Sequence, residues 1–130
     1  MSVANTALLY NLGLEGFFVS DDLSAGVAGA RATALRLPSQ LNRVVSAPAN
    51  GACALPSILS GEAAWIVFVV NDSAQAIVVG ASPGETVNSV ATNAAMSTGT
   101  LSIPSGQSGI FVPVPNGRGG TLDWRSTVIP

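Results

Sequence analysis

Short apolar runs alternate with clusters of turn-forming residues from residue 31 to the end of the chain. Apolar and β-branched runs of this length, bounded by Gly, Pro, Asn or Ser, are typical of strands. Residues 88–99 are small and polar and predict a loop. The spacing predicts an all-β fold, a single compact sandwich or barrel of about eight short antiparallel strands. The predicted strands cover residues 33–37, 41–45, 52–55, 63–70, 76–79, 100–103, 109–114 and 122–129.

The run at residues 63–70 is apolar at every position, so both faces of this strand need a dry environment. With the run at 76–79 it flanks Asn71-Asp72-Ser73, which predicts a β-hairpin, and residues 100–114 predict a second one. The face carrying Trp65, Val67 and Val69 is then covered by a sister subunit, the opposite sheet or the N-terminal segment. We take these three as candidate subunit-contact residues. The expected core residues are Ile66, Phe68, Ile77, Val79, Ile110 and Val112.

Residues 1–30 differ from the rest, since Leu, Phe and Tyr are interspersed with Gly, Ala and Ser. The segment is too apolar for a free tail and too irregular for a firm strand. We therefore divide the chain into an extended N-terminal arm, residues 1–30, and a β domain, residues 31–130. Two interpretations of the arm stay open, binding to another protein or packing on its own domain. Under the first, the candidate residues for contact with the other protein are Leu8, Leu9, Tyr10, Leu12, Phe17 and Phe18.

Charge is scarce: 48% of the 130 residues are apolar, 9% are charged, and the net charge is −2. An average globular domain is about 25% charged. This favours a surface in contact with other protein, the alternative being a small apolar domain with a Ser, Thr and Asn surface. The five basic residues are scattered arginines, so no nucleic-acid partner is expected. The longest apolar run is far below the ~20 residues of a membrane span, and no leader pattern is present, so we expect a soluble protein made in the cytoplasm.

The residue types of most enzyme and metal sites are missing. The sequence has no His and no Lys, and Cys53 is a lone cysteine that we expect to be small and buried. Asp21 and Asp22 are the only adjacent carboxylates, and we interpret them as turn residues or solvated charges. A weak Ca²⁺ contact there is the alternative, although the ligand spacing of a known calcium loop is lacking. We expect no cofactor and no enzyme activity.

From residue 31 onward several turn and strand features follow one another in a characteristic order. They are Leu37-Pro38 or Ala54-Leu55-Pro56, a Ser-Gly-Glu turn before an apolar strand, VVNDSAQAIVVGASPGETVN with Pro83-Gly84, an Asn93-Ala94-Ala95 loop, LSIPSGQSGIFVPV and Trp124. In these features the chain resembles small virion proteins of tailed bacteriophages of the head decoration, cement or head-fibre type. The likeness is one of turns and strands, not of a catalytic motif, and the terminal TLDWRSTVIP extends further past its Trp than in those proteins.

The resemblance implies a structural role on the virion surface, as a capsid decoration or cement protein. Its partners would be the major capsid protein, whose adjacent subunits it braces, and further copies of itself. Because capsids offer three-fold sites, a homotrimer is the first expectation and a dimer the second. The alternative function is a head-fibre or tail-fibre module that recognises a host by binding a cell-surface glycan.

Overall fold

The computed structural model describes residues 18–27, 29–58, 65–115 and 122–130. These residues form eleven strands and one 3-10 turn, Arg31–Thr33. The all-β class is therefore confirmed. The strands are β1 (Val19–Ser24), β2 (Leu35–Arg36), β3 (Leu41–Ser46), β4 (Gly51–Ala54), β5 (Val67–Asn71), β6 (Ile77–Gly80), β7 (Thr86–Val87), β8 (Val90–Ala91), β9 (Thr100–Ile103), β10 (Ser108–Val114) and β11 (Asp123–Ile129).

The strands form two sheets. One has seven strands in the order β1-β3-β5-β10-β11-β7-β8, and the other has four in the order β2-β4-β6-β9. Among the described strands five of the nine neighbouring pairs are parallel, so the expected antiparallel arrangement is wrong. Successive strands commonly lie in different sheets. When the chain comes back to a sheet, its new strand therefore runs in the same direction as the strand that it left there.

Neither predicted hairpin forms. β5 pairs with β3 and β10, whereas β6 pairs with β4 and β9 in the other sheet. β9 and β10 are likewise divided between the sheets. The turn-forming residues do form turns, but these turns lead the chain from one sheet to the other. Five residues, 72–76, can span about 16 Å, which exceeds the ~10 Å between packed sheets.

Asn71 links the β5–β6 connection to the β9–β10 connection. Its side-chain amide donates to the carbonyl oxygens of Gln75, at 2.8 Å, and of Ile103, at 2.9 Å. Its carboxamide oxygen accepts from the backbone N–H and the hydroxyl of Ser73. Because Asn71 is fully buried, these bonds replace the water that its amide would otherwise need.

The core lies between the inner faces of the two sheets. Val67, Val69, Phe111 and Trp124 of the seven-stranded sheet join Cys53, Ile77, Val79 and Ile103 of the four-stranded sheet in one buried cluster. Ile77 and Val79 are thus confirmed as core residues. The assignment of the other four is wrong: Ile66 and Val112 are exposed, and Phe68 and Ile110 are only partly buried on the outer face.

The sheet begins earlier in the chain than the expected domain boundary at residue 31. β1 pairs in parallel with β3, and Ala25 is buried in the core. Gly26 then forms a bridge with Ala52. A Cβ atom at Gly26 would lie 2.0 Å from the Thr33 carbonyl oxygen, so only glycine fits this crossing. Residues 19–26 therefore belong to the β structure rather than to an arm, and residues 1–17 of the expected arm lie outside the described residues.

Candidate interaction surfaces

The outer face of the seven-stranded sheet carries a row of apolar side chains across four adjacent strands. Val19 pairs with Leu41, Leu41 with Phe68, and Phe68 with Ile110. Directly paired residues point to the same side of a sheet. All four are partly exposed, and the row ends at Thr127 of β11, which pairs with Ile110. We call these four residues the apolar row.

Four large exposed apolar residues lie at one end of the same sheet. β1, β3 and β5 run in parallel, so they start at the same end, and antiparallel β10 finishes there. Phe18 is 66% exposed, Trp65 41%, Ile66 38% and Val112 37%. Residues 18, 65–66 and 112 come from three distant parts of the chain. We call these four residues the apolar end.

Backbone hydrogen bonds fix the position of Phe18 at this end. Its carbonyl oxygen accepts from the N–H groups of Gln40 and Leu41, and its N–H donates to Gln40 Oε1 at 2.7 Å. The Gln40 carbonyl oxygen in turn accepts from the Phe68 N–H. Phe18 therefore lies next to the apolar row, and its side chain is directed to solvent.

Two arginines of this face are paired with aspartates of the same chain. Arg43 Nε lies 2.6 Å from Asp72 Oδ2, and the hydrogen bond with Asp72 raises the pKa of Arg43 above its usual value. Arg125 Nε lies 2.8 Å from Asp123 Oδ2. Both pairs border the apolar row, so neither arginine leaves an unpaired positive charge beside it.

The buried carboxyl groups have structural partners. Asp123 accepts from the Thr86 hydroxyl at 2.5 Å and from the Ser89 N–H at 2.9 Å, which fastens the β7–β8 turn to β11. Glu85 accepts from the Ser57 hydroxyl at 2.6 Å and the Ile58 N–H at 3.0 Å. Within the described ranges, no three His, Cys, Asp or Glu side chains lie close enough to hold a metal ion.

Cys53 is fully buried on β4, as expected from the sequence. Desolvation by the surrounding apolar residues raises the pKa of its thiol from 9.0 to about 12. The thiolate is the reactive form, so this cysteine is a packing residue and not a nucleophile.

A concave pocket of about 800 Å³ lies beside β2. Two arginines, Arg31 and Arg36, and the hydroxyl-bearing Ser57 and Ser82 line it, and most of the remaining wall is alanine. Arg31 is held in place because its N–H donates to the Ala94 carbonyl oxygen and its Nη2 to that of Thr92. Its Nε is buried without an acceptor among the described residues.

The candidate contact residues have different positions in the structure. Trp65 is exposed at the apolar end, but Val67 and Val69 are fully buried against the four-stranded sheet. Their expected exposure to a sister subunit is therefore wrong, and the opposite sheet covers that face. Phe18 is exposed. The other five candidate contact residues of the arm, Leu8, Leu9, Tyr10, Leu12 and Phe17, lie outside the described residues.

No protein-family model matches the chain, and no curated protein or solved structure is significantly similar to it. In the described part of the chain there is no helix that is both long and apolar enough to span a membrane. The surfaces described above are thus the basis for an assignment of function.

Proposed function

We propose that this protein is a bacteriophage capsid decoration protein, a β-sandwich that binds the outside of the head and braces adjacent major capsid protein subunits. One observation carries the proposal: Phe18, Trp65, Ile66 and Val112 are exposed together at one end of the sheet. Monomeric proteins rarely leave large contiguous apolar patches uncovered, and such patches mark contacts with other macromolecules.

The N-terminal segment would add further apolar residues to the contact. Residues 1–17 precede Phe18 and contain Leu8, Leu9, Tyr10, Leu12 and Phe17. Fully burying one such side chain contributes about 1.5–3 kcal/mol, and the combined contribution exceeds the ordering cost only on a large partner surface. A capsid shell is such a surface, and the apolar end would face it.

Self-association is part of the proposal, with a trimer as the expected state and a dimer as the second. Trp65 is the proposed subunit-contact residue that is exposed. A decoration protein that occupies three-fold positions of a shell meets its own copies around the symmetry axis.

Copy number on purified particles of the encoding phage tests the function. A decoration protein should be present at on the order of hundreds of copies per head, because a symmetric shell repeats its binding site. The major capsid protein band in the same gel is the internal standard. A few to tens of copies would support the host-recognition fibre module instead, and absence from particles would contradict both functions.

A further inference from the structure

Most of β11 has a free edge. Its first two residues, Asp123 and Trp124, pair with β7, and the described chain places no strand beside residues 125–129 on that side. β10 occupies the other side along the whole length of β11. A free edge carries backbone N–H and C=O groups that can pair with a strand of another molecule. The seven-stranded sheet therefore has a third exposed edge besides those of its outermost strands, β1 and β8.

The chain turns away from this edge at Asn88. The backbone N–H of Asn88, directly after β7, donates to the Trp124 carbonyl oxygen at 2.8 Å, as in a parallel ladder. The next bond of such a ladder would join the Asn88 carbonyl oxygen to the Ser126 N–H. The backbone instead reverses, with a φ of 49° at Asn88 and 69° at Ser89, and returns as β8. No strand therefore lies beside Ser126 on this side in the described structure.

The Asn88 side chain fills the position beside Ser126. Its Oδ1 accepts from the Ser126 N–H at 2.8 Å, and its Nδ2 donates to the Ser126 carbonyl oxygen at 3.2 Å. Nδ2 also donates to the Ser126 hydroxyl at 2.9 Å. A side-chain carboxamide offers N–H donors and a carbonyl acceptor, as a peptide group does. The side chain therefore forms the two bonds that the backbone of a neighbouring strand would form with Ser126.

We propose that Asn88 closes this edge and so prevents β11 from pairing with β11 of a second copy. Backbone groups alternate between the two edges of a strand, so Val128 is the next residue that directs its N–H and C=O to this edge. Val128 has no backbone partner there among the described residues. Two-fold antiparallel pairing would set Ser126 opposite Val128 of the second copy and add about four backbone hydrogen bonds. While Asn88 is bound to Ser126, that pairing is blocked.

The other two edges of this sheet are protected in different ways. β8 has only two residues, and β1 has two register shifts and carries Asp21 and Asp22. Very short strands, bulges and charges on edge strands prevent pairing between molecules. In contrast, β11 is in continuous register with β10 and carries no charge from Ser126 to Ile129. This stretch therefore depends on Asn88 for its protection.

Asn88→Gly in the full chain tests the proposal, because glycine adopts the positive φ of this turn and lacks the carboxamide. In sedimentation velocity this variant should self-associate about 10-fold or more tightly than the wild type, since each new contact adds backbone hydrogen bonds. Adding Val128→Pro should restore the association state of the wild type, because proline has no N–H to donate to a second strand. The Val128 backbone faces the free edge, so the proline removes no hydrogen bond to β10.

Asn88→Asp is the matched control. Its carboxylate still accepts from the Ser126 N–H and places a charge on the edge, so association should stay as in the wild type. Thermal unfolding of each variant checks that it is folded. In the wild type itself, the Ser126 N–H should exchange with solvent at least about 10-fold more slowly than the Val128 N–H, which has no partner on the free edge.

The proposal is overturned if Asn88→Gly sediments like the wild type, or if its larger species persist after Val128→Pro is added. Equal exchange rates of the Ser126 and Val128 amides in the wild type would also overturn it, and that measurement does not depend on the folding of a variant. None of these outcomes bears on binding to heads, so the proposed function is tested separately.

Discussion

Two phenylalanines on neighbouring strands differ in which side of the sheet their rings lie on and in how far they are buried. Phe111 of β10 is fully buried between the sheets, whereas Phe68 of β5 lies on the outer face in the apolar row. A ring between two sheets leaves a cavity when it is removed, while water fills the space left by a ring on the outside. Position relative to the sheet, and not residue type, therefore sets the cost of truncation.

Phe111→Ala should lower the free energy of unfolding by about 3–5 kcal/mol. Phe68→Ala should cost clearly less, because part of its surface is already in water. Urea titrations of both variants and the wild type provide the measurement. Equal costs for the two substitutions would show that the outer face is as enclosed as the core, for example by the N-terminal segment.

The thiol of Cys53 makes stability depend on pH. Burial raises the pKa of this group in the folded state to about 12 from 9.0, so the folded protein keeps a proton that the unfolded chain releases. A raised folded pKa gives stability that is complete below pH 9 and is lost as the pH rises towards 12. The loss approaches ~1.4 kcal/mol per pH unit within this window.

Cys53→Ala removes this dependence, although the smaller side chain also costs some packing. The difference in unfolding free energy between wild type and Cys53→Ala should therefore shift in favour of the variant between pH ~8 and ~10.5. Other groups titrate equally in both proteins and cancel. A difference that stays constant over this range would mean that the thiol is accessible to water in the native state.

The predicted and observed strands show which parts of this fold depend only on the local sequence. Most predicted strands overlap an observed one, because an apolar run between turn formers needs no knowledge of its neighbours. Their partners were predicted wrongly: Asn71-Asp72-Ser73 marks a turn, but a turn signature is the same whether the chain returns within one sheet or crosses to the other. The continuous run at 63–70 also lacks alternation, so nothing local assigns Val67 inwards and Phe68 outwards.

The candidate surfaces could be predicted only in part. The sequence identifies Phe18 and Trp65 as candidate contact residues, but Ile66 and Val112 look like core residues until the sheet pairing is known. Arg31 and Ser82 meet in one pocket although they are distant in sequence. β1 was missed because Asp21 and Asp22 interrupt its pattern, as is common in edge strands.

The position of β1 in the sheet predicts how much of the N-terminus the fold tolerates losing. Deletion of residues 2–17 stops short of β1 and should leave the unfolding temperature nearly unchanged. Deletion of residues 2–28 removes β1, the buried Ala25 and the bridge from Gly26 to Ala52. It should cost at least about 2 kcal/mol, through lost apolar burial and unpaired β3 backbone groups.

Thermal unfolding of the two deletion variants tests this, with far-ultraviolet circular dichroism to confirm β structure. The shorter deletion also separates folding from binding, since it removes Leu8, Leu9, Tyr10, Leu12 and Phe17 and leaves every described strand. A large destabilisation by the shorter deletion would show that residues 2–17 pack on their own domain. Full occupancy of heads by this variant would show that they do not anchor it.

At the scale of the whole molecule, four large exposed apolar residues gather at one end of the seven-stranded sheet. The apolar end gathers Phe18, Trp65, Ile66 and Val112, and its charged neighbours are paired within the chain. This arrangement suits a protein that binds a shell through the apolar end.

The combined substitution Trp65→Ser, Ile66→Ser and Val112→Ser should therefore abolish binding to the head without unfolding the protein. These side chains are more than a third exposed, so their truncation removes little core packing. In a protein interface, truncating one well-packed aromatic anchor costs about 2 kcal/mol or more, a loss of roughly 30-fold in affinity.

The control is Val90→Ser, since Val90 is 51% exposed on β8, at the far edge of the sheet. Binding to undecorated heads, followed by co-sedimentation, should be lost in the triple variant and kept in the control. Equal binding by both would exclude the apolar end as the docking surface.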